Sequence, residues 1–206
     1  MTPHGHPGAD LWLDYAAGQL DRPTCSLLEG HLAFCEACRE QARAATAPGG
    51  AALAEGPEAP VPSQLLDGIL ARLKPPAPPR VGREVLPLPR ALWPLLPALD
   101  GTAWRQALTR GFRFLEAAPG LYLIHMRRGC PFPAHGHRGL ERCLILSGGL
   151  RDGHRLLEAG DFDETAPDEV HSPVALPDED CWLLASLEGG IRFQGWRGVL
   201  QRLAGA

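Results

Sequence analysis

Residues 129–148 read GCPFPAHGHRGLERCLILSG, and the fold turns on them. His135 and His137 stand two apart, and the carboxylate of Glu141 follows four residues later. In an extended strand successive side chains alternate between faces, so both imidazoles leave by the same face. Pro131 and Pro133 ahead of them, with Gly136, Gly139 and Gly148 around them, argue against a helix. Residues 142–146 are apolar enough to form the next strand, which returns Glu141 to the same mouth. Two imidazoles and a carboxylate converging from one side of a sheet make a transition-metal site with room for another ligand.

Working outward, the chain has 206 residues, enough for one large domain or two small ones with a real core. A hydrophobic content of 45% and a charged content of 21% describe a soluble globular protein. The net charge of −4 argues against a general nucleic-acid binder, which would show a basic face. No run is long and apolar enough to span a bilayer, and MTPHGHPGAD lacks the basic-then-apolar pattern of a secretion signal. A cytoplasmic location with no membrane attachment is the expectation. In such a chain, clustered cysteines read as metal ligands or redox groups rather than disulfides. Cys35 and Cys38 are clustered. Cys25, Cys130, Cys143 and Cys181 are scattered and read as small buried apolar residues, although Cys130 and Cys143, flanking the metal motif, also stand as candidate redox partners, with Cys143, mid-strand, read as inert.

Ahead of the histidine motif the chain reads as helices. Residues 9–18 (ADLWLDYAAG) have helical spacing, with Gly18 as a stop. A second helical stretch runs from Pro23 to about Ala47, with Gly30 as a break point. Residues 48–62, rich in Ala, Gly, Pro and Glu, read as a mobile loop. Ser63 then caps a third amphipathic helix ending near Lys74. PPAPP at 75–79 reads as a stiff extended linker and sets a domain boundary, giving units of residues 1–80 and 81–206. Beyond it, residues 87–97 form a loop or short helical turn. Strands are expected over 112–116, 120–128, 180–186 and 191–193, with a hairpin turn at Asp152-Gly153. Many short strands with turn signals predict a small antiparallel barrel or jelly roll, so the chain is of the α+β class.

A second metal site is legible at the front. In HLAFCEACRE, within the second helical stretch, His31, Cys35 and Cys38 lie at i, i+4 and i+7, on one helix face, so all three can point at a common centre. Two thiolates and an imidazole suit Zn, and a structural Zn wants a fourth ligand. His4 and His6 are the candidates upstream, and spacing alone does not choose between them. A redox dithiol is the rival reading of Cys35-x-x-Cys38, but the βαβ context of a thioredoxin-like fold is missing.

The pattern of Gly129, His135, His137, Glu141 and Gly148 resembles the first motif of the cupin superfamily. A second motif, opening with Gly and supplying a third histidine, matches Gly160-Asp161-Phe162 and His171. Ala166 and Asp168 stand where that motif usually has Pro and Gly. The pairing of a helical HxxxCxxC segment, a Pro-rich linker and HGHRGLE is specific, and nearly the whole chain resembles the ChrR family of zinc-binding anti-sigma factors. LWLDYAAGQL and HLAFCEACRE resemble its zinc-binding anti-sigma domain; HGHRGLERCLILSGGLRD, AGDFDE and HSP resemble its cupin. The resemblance implies a first Zn2+ held by His6, His31, Cys35 and Cys38, and a second metal, also Zn2+, held by His135, His137, Glu141 and His171.

It further implies a regulator rather than an enzyme. The helical domain would bind an extracytoplasmic-function sigma factor, and the cupin would sense oxidants such as singlet oxygen and trigger release. No catalytic residues are expected. The alternative is a metal-dependent, dioxygenase-like cupin enzyme with a helical appendage, since His3Glu also accepts Fe, Mn, Ni or Cu. No further acid–base pair near the motif supports it.

Overall fold

The computed structural model describes residues 3–73, 77–81, 84–96, 104–106 and 109–195. Helix α1 (Ala9–Ala16) buries Leu11 and Trp12, and the chain turns after it at Gly18. Helix α2 (Arg22–Leu32) starts as its sequence dictates: the Asp21 carboxylate accepts from the Thr24 amide at 2.8 Å, with Pro23 in the first turn. The single helix expected from Pro23 to Ala47 is two. Backbone turns to extended geometry at Cys35, which becomes the N-cap of α3 (Glu36–Ala54), its Sγ accepting from the Cys38 amide at 3.4 Å. Arg39 donates to the Leu32 carbonyl at 2.7 Å and so closes the end of α2. Helix α3 also runs through Pro48, where a loop was expected. Its Ala-rich flanks supply enough helical propensity to absorb a proline that costs about 3 kcal/mol in a helix interior. The third expected helix is short: α4 (Leu65–Leu70) begins after Gln64 with no side-chain cap, and Lys74 lies outside the described residues.

Part of the Pro-rich segment, 74–76, is likewise outside the described residues. After it come β1 (Arg80–Val81), β2 (Glu84–Val85) and a 3-10 helix (Arg90–Leu95) in the expected loop. The remaining strands are β3 (Arg105–Gln106), β4 (Phe112–Ala118), β5 (Leu121–Met126), β6 (His135–His137), β7 (Glu141–Ser147), β8 (Gly149–Asp152), β9 (Arg155–Glu158), β10 (Phe162–Thr165), β11 (Val174–Ala175), β12 (Cys181–Leu187) and β13 (Ile191–Phe193). An antiparallel six-stranded sheet, β10-β7-β12-β5-β4-β3, forms one wall of a barrel-like sandwich. The sheets β11-β8-β9 and β13-β6 make the other. The hairpin turn falls one residue later than expected: Asp152 pairs with Arg155, leaving Gly153 and His154 as its centre, with Gly153 at φ 57°.

Alternation along β7 divides two cores. Ile145 faces the barrel interior with Phe112, Met126, Phe132 and Leu183. Leu144 and Leu146 face outward and share one core with Leu27 and Leu28 of α2 and with Trp12 of α1. Helix α2 therefore covers the outer face of β7 and β12. The segment after the linker is held to the same wall: Glu84 accepts from Trp104 Nε1 at 3.0 Å and from both terminal nitrogens of Arg113 at 2.9 and 2.5 Å.

Candidate metal centres

Inside the barrel, β6 presents His135 and His137 to one side, as the HxH spacing requires, and β7 opens with Glu141. His171 arrives on the loop before β11 through an isolated bridge to His135, each amide donating to the other's carbonyl at 3.0 and 2.9 Å. One potential ligand atom from each of the four residues lies within 4.8 Å of the other three. The three Nε2 atoms crowd together: His171 is 2.9 Å from His137 and 3.0 Å from His135. Glu141 Oε2 lies 2.9 Å from His137 Nε2 and 3.3 Å from His171 Nε2.

The other ring nitrogens explain what this knot needs. His135 Nδ1–H donates to the Pro133 carbonyl at 2.8 Å, and His171 Nδ1–H donates to Asp152 Oδ2 at 2.8 Å. With Nδ1 donating outward in both, Nε2 is the ring atom left to face the cluster in each, where it can ligate a shared cation. Electrostatics alone already splits the group. Burial and the neighbouring His171 push His135 down to about 4. Burial opposes charge on His171, but Asp152 and Glu141 outweigh it and lift the ring to about 9. Burial likewise opposes charge on Glu141, yet His137 and His171 hold it down to about 2. The donors fit a divalent metal, and Asp152 fixes the His171 ring from behind. In front of them lies an apolar cavity of about 420 Å³ walled by Phe112, Phe114, Tyr122, Ile124 and Phe132. A deeper space of about 50 Å³ reaches His135, Glu141 and His171.

At the front, His6, His31, Cys35 and Cys38 likewise bring one ligand atom each within 4.8 Å of one another. His6 Nδ1 is 3.5 Å from both sulfurs. His6 and not His4 joins the cluster; the His4 amide donates to Asp161. His31 Nδ1–H donates to the Gly160 carbonyl at 2.7 Å, and its buried Nε2 has no hydrogen-bond partner among the described residues. A buried ring nitrogen left free beside two sulfurs fits a metal ligand. Burial pushes the Cys38 thiol up to about 12, with the adjoining Cys35 adding to it, while the Trp12 indole N–H pulls the other way. Two sulfurs and two imidazoles select Zn. Cys35 also stands at the N-cap of α3.

Two supporting residues escaped sequence reasoning. Asp152 read only as a turn residue, and Asp161 only as part of a motif. Their partners at the two centres lie 19 and 157 residues away, so no local spacing could reveal them. Of the remaining cysteines, Cys130 and Cys181 are buried as expected, whereas Cys25 and Cys143 are only half-buried. Burial pushes up the thiols of Cys130, Cys143 and Cys181, the last to about 12, and the Cys130 thiol donates to the Arg110 carbonyl at 3.5 Å. Asp168 takes φ 64°, so the left-handed backbone usual for Gly is kept by a residue that tolerates it.

Comparison with known proteins finds relatives for both parts of the chain. Residues 9–39 match a family described as a putative zinc-finger, and residues 100–189 match the ChrR cupin-like domain. The chain is 32% identical over 204 residues to the anti-sigma-E factor ChrR of Cereibacter sphaeroides, covering 95% of each. The crystal structure of Rhodobacter sphaeroides SigE in complex with the anti-sigma ChrR superposes with a TM-score of 0.64 at 30% identity. That match covers 91% of this chain and 100% of the other. The chain, with its helical Cys2His2 cluster and its His3Glu barrel, belongs to the ChrR family of anti-sigma factors.

Proposed function

We propose that this protein captures an extracytoplasmic-function sigma factor in the cytoplasm through residues 1–80, and that residues 81–206 form the sensory cupin that governs release. Zn2+ would be held by His6, His31, Cys35 and Cys38, and a second divalent metal by His135, His137, Glu141 and His171. The metal supplies folding free energy at the front site, where a unit of this size buries little core of its own.

The observation that carries the reading is the uncovered apolar surface beyond α3. Leu65, Leu66, Ile69, Leu70 and Leu73 are each 44–67% exposed, on and just after α4. Clustered exposed leucines are costly in water and suited to docking a partner helix or groove. The SigE complex of the family's structural relative supports a sigma factor as that partner. Residues 1–74 carry nine Asp/Glu against five Lys/Arg, a balance that complements a basic polymerase- and DNA-facing surface and disfavours direct nucleic-acid binding. The signal would be an oxidant, singlet oxygen among them, acting at the barrel. No described helix is long and apolar enough to cross a membrane.

The test is co-expression with the cognate sigma factor, followed by co-purification and transcription in vitro. A stable complex that inhibits transcription is expected. Zinc-loaded protein that neither binds nor inhibits would overturn the reading.

A further inference from the structure

The front cluster is braced from outside the helical unit. The chain segment carrying His6 makes no strand of its own; it lies along the turn between β9 and β10 of the barrel. Asp161, 1% exposed, accepts at Oδ1 from the amides of His4 and Gly5 at 2.6 and 2.9 Å. Its Oδ2 accepts from the Glu158 amide at 2.7 Å, which locks the carboxylate into the turn. The Phe162 amide donates back to the Gly5 carbonyl at 3.2 Å. One residue earlier, the Gly160 carbonyl takes the His31 Nδ1 proton and so sets which ring nitrogen faces the cluster.

The fit tolerates no bulk on either side. A Cβ on Gly5 would sit 2.5 Å from the Phe162 carbonyl oxygen. A Cβ on Gly160, at φ 97°, would meet Phe34 and Pro3 at 2.8 Å. Two of the four donors, His6 and His31, are thus positioned by barrel backbone and by one barrel carboxylate, whereas Cys35 and Cys38 are positioned by α3. The same short strand reaches the other centre: in β10, Asp163 pairs with Arg155, which also binds Asp152 behind His171, and Thr165 lies opposite Glu141.

We propose that the barrel's 160–162 turn is a working part of the front zinc site, with Asp161 the positioning residue that holds the His6 segment against the metal, so that zinc retention by the helical unit depends on the state of the barrel. This deepens the proposed function, on which it rests, by naming where the sensory unit touches the sigma-capturing one. An imidazole that loses its outer partner, or a ligand on a freed segment, must be ordered anew at each binding event. Metal affinity then drops, typically about 10–100-fold when such a partner is removed.

The test follows zinc transfer from the full-length, zinc-loaded chain to a colorimetric chelator. Five chains are compared: wild type, Cys35→Ala, Asp161→Ala, Asp161→Asn and Gly5→Ala. Cys35→Ala identifies which zinc equivalent belongs to the front site. Asp161→Ala should speed release of that equivalent about tenfold or more and leave the barrel equivalent unchanged. Gly5→Ala, which alters no barrel residue, should do the same, so a folding defect in the barrel cannot produce the result. Asp161→Asn, which keeps an oxygen for the two amides, should restore much of the retention. Wild-type release from both Asp161→Ala and Gly5→Ala, or equal acceleration of both zinc equivalents, would overturn the proposal. If Cys35→Ala removes no zinc, the front site itself falls, and the proposed function with it.

Discussion

His171 stands with two imidazoles and Glu141 at its Nε2 and with Asp152 at its Nδ1. Its geometry is over-determined, and the residue that does most of the determining is Asp152, itself held by Arg155 at 2.9 Å. Replacing Asp152 with Ala is expected to lower barrel metal affinity by about 10–100-fold without touching the front zinc, measured by metal competition on the full chain. A second expectation concerns sulfur. Buried thiols with raised pKa carry little thiolate at neutral pH and react slowly. Alkylation at pH 7.5 should leave Cys130, Cys143 and Cys181 intact in the folded protein, and Cys130→Ser should keep the response to oxidant. Rapid labelling of Cys130 in the native state would contradict this.

At the scale of elements, the strand pair β1–β2 is fastened to the barrel by a chain of charges. Arg113 lies over the Trp104 ring at 4.4 Å, binds Glu84, and donates through Nε to His125 Nδ1 at 3.0 Å. His125 Nε2–H then donates to Asp180 at 2.9 Å. This arrangement requires a neutral His125, because a proton on Nδ1 would face the Arg113 N–H. Burial, with Arg113 beside it, accordingly holds the His125 pKa below its ordinary value. The unfolded chain therefore binds the proton first as pH falls, and stability declines below about 6.5. Glu84 and Asp180 are also held low, Glu84 by Arg113 against the cost of burial, Asp180 by the Arg128 amide and His125 against the same cost. Their stabilising share persists above their ordinary values and is lost in stronger acid, so all three act in one direction. Urea midpoints should fall between pH 7.5 and 5.5, and His125→Gln should flatten that slope. Helix α4 behaves oppositely: its leucines touch little in the free protein. Leu66→Glu with Leu70→Glu should change stability by no more than about 0.5 kcal/mol per site. Sigma capture should weaken tenfold or more, read by titration of labelled sigma factor.

Across the whole molecule, two cores meet at one sheet, with α2 on its outer face and the His3Glu cluster within. Metal removal should therefore act unevenly. Chelation at the front site should melt α1–α3 and lower helical circular dichroism, while the barrel, with its own apolar interior, keeps its strand signal. Loss of both signals together would show that the two units unfold as one.

Much of this was legible in the chain itself. The His135-x-His137 spacing, the carboxylate at Glu141 and the flanking glycines dictate a strand pair with converging donors, because side-chain alternation is a local property. The donor types at His31, Cys35 and Cys38 likewise name the metal before any fold is known. Other features were decided only when distant segments met. Cys35 caps a new helix instead of continuing an old one, since its thiol is needed at the cluster and Arg39 closes the helix behind it. His6 rather than His4 faces the sulfurs because Asp161, 157 residues away, anchors the His4 amide and turns the segment. Asp152 acquires its role in the same way. Backbone periodicity sets which face a side chain leaves by, but what that face meets depends on packing among elements that no short stretch of sequence contains.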